Sequence, residues 1–270
     1  MIKIGVIGAG HMGRNHLRVL KELNKDFELV GFSDKMPENI QFAQETYKIK
    51  YYENIEELLD NVEAVVIAAP SSLHKEIGLM VANHKVHALI EKPIALSLED
   101  GQELCDAFVK NNVRLMVGHV ERYNPVVSEL KKIIDSEEVI AIEAKRCSPF
   151  DPRISDTNVI YDLMIHDIDI VFNYLNPTPI ETINSTAVNV ASNNRADYVQ
   201  AVAQHSNGTI SSLIASRTTE DKIRTIEVHT KKCLVRADLL NKTLTVSRKT
   251  TFDLNIGYKP TYKQENIIEK

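Results

Sequence analysis

The chain has 270 residues, of which 43% are hydrophobic and 26% charged. That is enough for one large or two ordinary soluble domains with a sizeable core. A net charge of −5 and a pI of about 6.0 argue against a nucleic-acid binder that relies on a basic surface. No apolar run approaches the roughly 18 residues of a membrane span, and "MIKIGVIGAG" reads as a strand and turn, not a signal peptide. Cys105, Cys147 and Cys233 are odd in number, far apart and without metal-ligand spacing, as expected of reduced thiols in a cytoplasmic protein.

In chain order, the first 120 residues alternate short apolar runs with helical patterns. "IKIGVIGAG" is a predicted strand and "GRNHLRVLKEL" a helix with Leu17, Val19 and Leu20 on or near one face. "FELVGFSD" is a second strand and "NIQFAQETY" a helix. "AVVIAAP" has no polar interruption, which predicts a strand buried on both faces. "LHKEIGLMVANH" is helical, "VHALIEKP" is a strand, and "SLEDGQELCDAFVKNN" is a helix that Ser97 can cap. "VRLMVGH" closes the series. Strand–helix repetition at this spacing predicts a doubly wound parallel sheet, an α/β Rossmann domain over residues 1–120.

After Pro125 the texture changes. Two helical patterns, "VVSELKKIIDS" and "VIYDLMIHDIDIVFNYL", accompany a series of strands: "EVIAIEAKRC", "ETINSTAVNV", "DYVQAVAQHS", "TISSLIASR", "IRTIEVHT", "CLVRADLL" and "TLTVSR". Many alternate with period two, as in a sheet with one open face. "SNGT" is an Asn-Gly hairpin signal. Residues 121–270 thus predict an α+β domain with a mostly antiparallel, open-faced sheet, and the tail from Thr251 carries little pattern. The open face is expected to expose much apolar surface and to favour a homodimer or homotetramer.

The first chemical motif is "GAGHMG". Gly8, Gly10 and Gly13, with His11 and Met12 between them, follow one strand and open a helix. Gly8 allows the tight turn, Gly10 lets a pyrophosphate approach the backbone, and Gly13 lets helix pack on strand. The first amides of the helix then face the phosphates. Asp34 ends the second strand about twenty residues further on, where a carboxylate accepts from the adenosine ribose hydroxyls. It would repel a 2′-phosphate, so NAD is expected over NADP, although Lys35 beside it weakens that preference. "AAPSSLH" ends another buried strand, so Pro70, Ser71 and His74 border the expected cofactor. His74 reads equally as a solvated first-turn residue.

"EKP" places Glu91 and Lys92 at the carboxyl end of a further strand, on the same edge. Lys92 there can stabilise a developing oxyanion, or it can leave the sheet and pair with Glu91 in solvent. In "YDLMIHDID", Asp162 and His166 stand four apart and share a helix face. His166 suits acceptance of a hydroxyl proton, with Asp162 orienting the ring or bridging to Lys92. With Asp167 and Asp169 the cluster could instead hold a divalent metal or be ordinary charge pairing.

Together the glycine turn, "EKP" and Asp-x-x-x-His resemble the glucose–fructose oxidoreductase / inositol dehydrogenase (Gfo/Idh/MocA) family, from Met1 to roughly Arg248. The resemblance implies oxidation of a sugar or cyclitol hydroxyl by hydride transfer to NAD or NADP, with substrate entering between the domains. Lys92 and His166 match the family's catalytic pair, Asp162 lies between them, and Pro93 shapes the lysine's loop. No metal is implied. "VGHVERYNP" and "AKRCSPFDPRISD" are similar to a subgroup that oxidises the 3-hydroxyl of UDP-N-acetylglucosamine. In those segments Arg122, Tyr123, Asn124, Arg146 and Arg153 are expected on a sugar or nucleotide-sugar substrate, since arginine forks suit diphosphates. Arginines bracing the domain interface are the competing reading. A redox-sensing protein that binds NADH without turnover is the non-enzymatic alternative. Ser71 stands where many relatives have asparagine, and relatives run on by some tens of residues, so a truncated form lacking part of the second domain or an oligomer contact is one expectation.

Overall fold

The computed structural model describes residues 1–151, 157–190, 195–249 and 262–268; side chains are described up to Arg248. The chain divides into two compact units, Met1–Gly118 and His119–Lys270.

The first unit carries β1 (Ile2–Ile7), α1 (His11–Glu22), β2 (Phe27–Ser33), α2 (Pro37–Tyr47), β3 (Lys50–Tyr51) and α3 (Ile55–Leu59). It continues with β4 (Ala64–Ile67), α4 (His74–Asn83), β5 (His87–Ile90), α5 (Leu98–Lys110) and β6 (Leu115–Val117). The strands form one parallel sheet in the order β3-β2-β1-β4-β5-β6. Strand alternation divides the core in two. Ile4 and Val6 of β1 pack with Leu17 and Leu20 of α1 and Ala43 of α2, whereas Ile7 joins Leu58 of α3, Ile77 and Val81 of α4, and Leu104 and Phe108 of α5. Both faces are therefore covered, as a parallel sheet requires. Ser97 caps α5 as expected, its hydroxyl accepting the Asp100 amide at 3.1 Å. The short β3 and α3 are additional to the sequence reading, which found no period in so few residues.

The second unit contains α6 (Pro125–Ile134), β7 (Val139–Cys147), a helix over residues 160–175 called α7, β8 (Ile180–Val188), β9 (Tyr198–His205) and β10 (Ile210–Ser216). β11 (Ile223–Thr230), β12 (Cys233–Asp238), β13 (Thr243–Lys249) and β14 (Tyr262–Ile268) follow. Its eight-stranded sheet runs β14-β13-β12-β11-β7-β10-β9-β8, with β7 and β10 parallel and the other pairs antiparallel. β14 falls in the tail that carried little pattern, and it pairs with β13 along its length. The β9–β10 hairpin turns at Asn207-Gly208, where Gly208 takes φ of 84°.

α6 and α7 cover one face: Val126, Leu130, Met164 and Ile170 pack on Ile142, Leu213, Ile226 and Val235. The other face is open but not predominantly apolar. Cross-strand partners there include Val202 beside Ser212 and Glu143 beside Glu227, so the apolar surface expected on this face is a mixed one. The period-two pattern delivers polar side chains to it nearly as often as apolar ones.

Candidate functional site

The carboxyl ends of β1, β2, β4 and β5 lie side by side. Main-chain bonds from Gly8 to Ser33, Ala68 to Ile7 and Glu91 to Ile67, each 2.8–2.9 Å, continue the sheet's pairing into the turns. β1 and β4 are the central neighbours where strand order reverses, the place where such sheets bind ligands.

The three glycines differ in what they do. Gly8 has φ of 92°, and a Cβ there would lie 2.6 Å from the Ala69 nitrogen. A Cβ on Gly13 would lie 1.9 Å from the Gly8 carbonyl oxygen. At Gly10 a Cβ would meet nothing within 4 Å, so this position faces open space. His11 and Met12 begin α1, which has no side-chain cap and no acidic residue in its first turn. Its leading amides are thus available to an anion.

Asp34 leaves β2 half-buried and is held firmly: Oδ2 accepts the Ala9 amide at 2.5 Å and Oδ1 the Met36 amide at 2.7 Å. Asn39 stands 3.4 Å from both oxygens and accepts from Arg14 Nη2 at 3.0 Å, while the Arg14 guanidinium stacks 3.9 Å over Phe42. Lys35 is exposed beside it. This set fits a dinucleotide: an open backbone at Gly10, uncapped amides, and a fixed carboxylate one strand away.

On the next strand end, Pro70 is exposed and Ser71 half-buried in a short helical turn that precedes α4. His74 is not a solvated first-turn residue. It is 1% exposed, with Nδ1 2.8 Å from the Pro93 carbonyl and Nε2 3.0 Å from the Ala69 carbonyl. Its ring is engaged between two turns, one at Ala69 and one at Pro93. Glu91 is likewise not at the surface beside Lys92. At 7% exposure its carboxylate lies 2.6 Å from His16 Nε2, and Lys92 itself is half-buried. His16 escaped the sequence reading. A signal existed, because 13, 16, 17 and 20 share one helical face, and a polar residue on that buried face is unusual.

In the second unit, α7 opens with a π turn over Ile160–Met164, passes through one α turn at Ile165–Ile168, and returns to π geometry over Asp169–Leu175. Wide turns of this kind occur often at functional sites. Asp162 and His166 are both half-buried here, and Asp162 Oδ2 is 3.9 Å from Nη1 of Arg217, a residue 1% exposed that also meets Asp197 at 3.3 Å. Arg217 is a further residue that no sequence motif announced.

Asp167 and Asp169 are 2% exposed and occupied by arginines. Arg146 donates to both oxygens of Asp167 at 2.8–3.1 Å and to Glu121 at 3.1 Å, and Arg122 forks onto Asp169. Among the described residues no group of three or more His, Cys, Asp or Glu side chains is arranged to hold a metal ion. Arg146, expected on substrate, is 1% exposed with its fork already filled, which is the position of an internal brace. Burial works against the charge of this guanidinium, yet the Asp167 and Glu121 carboxylates raise it above its ordinary value. Asn124 caps α6, accepting the Val126 amide at 3.2 Å and donating to the Leu239 carbonyl at 3.2 Å. Arg122 keeps an exposed edge, Tyr123 is 66% exposed, and Arg153 lies outside the described residues.

A Rossmann sheet with this glycine cradle and a lysine at a neighbouring strand end defines a dinucleotide-dependent oxidoreductase. The family comparison makes the class specific: residues 2–119 match the model of the oxidoreductase family with an NAD-binding Rossmann fold, and residues 128–236 match the Gfo/Idh/MocA C-terminal domain. The chain belongs to the Gfo/Idh/MocA oxidoreductase family. It is 32% identical over 244 residues to the UDP-N-acetylglucosamine 3-dehydrogenase of Acidithiobacillus ferrooxidans, covering 90% of this chain and 76% of that protein. A solved structure of that dehydrogenase superposes with a TM-score of 0.88 at 28% identity, covering 98% of this chain and 82% of the other. An inositol 2-dehydrogenase of Salmonella typhimurium is 30% identical over 184 residues, covering 65% of this chain and 55% of its own length. The fold is shared with a Bordetella pertussis dehydrogenase solved with NADH and UDP-GlcNAcA, at a TM-score of 0.80 and 23% identity, covering 87% of this chain and 79% of that one.

Proposed function

We propose that the protein oxidises a secondary hydroxyl of a sugar, the 3-hydroxyl of a UDP-N-acetylhexosamine, with NAD as hydride acceptor. The observation that carries this is the placement of Lys92 at the carboxyl end of β5, on the same edge as the glycine turn and Asp34. Similarity to the UDP-N-acetylglucosamine enzyme along 90% of the chain supports the substrate class. Gly8, Gly10, Gly13, the amides that begin α1, and Asp34 would hold the dinucleotide, which supplies a two-electron acceptor when bound. Asp34 supports NAD over NADP, because a fixed carboxylate repels a 2′-phosphate.

The chain's own residues then manage the proton. The substrate hydroxyl gives its proton to His166 while hydride leaves the same carbon, and a ketone results. Lys92 donates to the oxygen and stabilises the negative charge that develops on it. Asp162 orients His166, with Arg217 behind it. Family membership supports a role in the reaction for each of Lys92 and His166. In the substrate set, Arg122 and Tyr123 keep exposed surface and Arg153 is retained from the resemblance, whereas Arg146 and Asn124 serve the unit's interior. No helix among the described residues is long and apolar enough to cross a membrane. A cytoplasmic homodimer or homotetramer completes the proposal.

Replacing His166 by alanine is expected to lower turnover by about 10²–10⁴-fold while NADH binding, followed by fluorescence, is retained. Unchanged turnover sinks the mechanism. The similarity to inositol 2-dehydrogenase favours a cyclitol as the second reading. A panel of UDP-sugars, simple sugars and inositols, each with NAD and NADP, separates the two. NADH binding without turnover of any of them leaves the redox-sensor reading.

A further inference from the structure

The turn that carries Lys92 is held on both sides by imidazoles that the proposed reaction does not use. Just before Lys92, the nearly buried Glu91 carboxylate needs partners, since a charge withdrawn from water is costly unpaired. It has two. Oε1 meets His16 Nε2 of α1 at 2.6 Å, and Oε2 accepts the Lys92 amide at 3.3 Å. Gly118 lets this carboxylate lie against the backbone, since a Cβ there would come within 3.1 Å of Glu91 Cδ.

Just after Lys92, the Pro93 carbonyl meets Nδ1 of His74, the first residue of α4, at 2.8 Å, and the same ring reaches the Ala69 carbonyl through Nε2 at 3.0 Å. Carbonyl oxygens only accept, so the bond to Pro93 needs the ring proton on Nδ1. α1 and α4 pack on opposite faces of the sheet. One imidazole therefore arrives from each face, and Lys92 is the residue between the two fixed points.

We propose that His16 and His74 are positioning residues that fix the origin of the Lys92 side chain, so that its ammonium is presented at one place on the cofactor edge. This rests on the reading of Lys92 as a catalytic group. The long, flexible lysine stem cannot by itself hold its head group, and misplacement by about 1 Å costs a reaction on the order of a hundredfold. Two anchors on adjacent residues fix where that stem begins.

The two nitrogens of His74 can be tested separately. An asparagine amide reaches to the Nδ1 position and can keep the bond to Pro93, whereas a glutamine amide reaches to Nε2 and can keep only the bond to Ala69. Likewise His16→Gln can keep the bond to Glu91 and His16→Ala cannot. In His74→Gln and His16→Ala, kcat is expected to fall about tenfold to a hundredfold while KM for NAD stays within about twofold. His74→Asn and His16→Gln should remain within about threefold of the unaltered protein. Amide hydrogen exchange over residues 90–96 should rise in the first two variants and not in the second two, nor in His84→Gln, a control at the end of α4. Unaltered exchange in His74→Gln and His16→Ala overturns the proposal, as does equal loss of turnover in His74→Asn and His74→Gln. Lys92→Ala with full turnover would instead remove the catalytic reading of the lysine, and the exchange pattern would still report whether the turn is held.

Discussion

Gly10 and Gly13 stand three residues apart, and a methyl group added to each should fail differently. At Gly13 the new carbon would lie 1.9 Å from a backbone oxygen, which neither helix nor strand can yield without parting. Gly13→Ala is expected to destabilise the first unit by about 1–3 kcal/mol, read as a lower urea midpoint without ligand. At Gly10 the carbon meets no protein atom within 4 Å. Gly10→Ala should therefore fold as before yet bind NADH about tenfold more weakly, a loss of ~1.4 kcal/mol, because the methyl occupies the phosphate's approach. Equal NADH affinity in Gly10→Ala would mean the open space is not where the dinucleotide lies. The glycine spacing was legible in the sequence because it is local. The partnership of His16 with Glu91 was not, because the two are far apart in the chain and only the sheet brings them together.

At the scale of an element, α7 shows how a correct pattern can still leave roles unassigned. The four-residue spacing of Asp162 and His166 predicts a shared helical face, and the helix is there. Which of four neighbouring polar residues points inward depends on the π turns and on arginines from other elements, neither of which periodicity reveals. Asp167 is tied by Arg146 to β7, and Asp169 by Arg122 to the turn before α6, so the helix bearing His166 is braced by one buried ion pair and one that is open to solvent on the arginine side. Burial pushes the Asp167 carboxyl up, and the Arg146 fork opposes that push. Removing the fork leaves a buried acid alone. Arg146→Met is expected to cost about 3–5 kcal/mol, measured by urea denaturation. The double variant Arg146→Met with Asp167→Leu should recover part of that loss, since neither charge is then stranded. A cost below about 1 kcal/mol for the single variant would show that the pair braces nothing.

For the whole molecule, the alternation of strands with helices, then of strand with strand, was enough to foresee a Rossmann sheet followed by an antiparallel one, because each follows from hydrophobic period alone. The strand order, the parallel β7–β10 pair and the pairing of β14 required tertiary contacts. The second sheet also bears on assembly. β8 is exposed at each of its nine positions and lies at the sheet's edge, with Ile183 57% and Val188 55% exposed. On the neighbouring strands Val202 is 41% and Ile210 49% exposed. A long edge strand beside apolar side chains is what folded proteins cover or pair. The polar residues between them argue for a wet, specific contact between copies rather than for greasy aggregation. Light scattering of the purified protein is therefore expected to give the mass of a dimer or tetramer. Val202→Glu together with Ile210→Glu should shift it toward the monomer, because like charges would meet across a symmetric contact. A monomer before substitution, or an assembly that the two glutamates leave intact, would place the contact elsewhere or remove it.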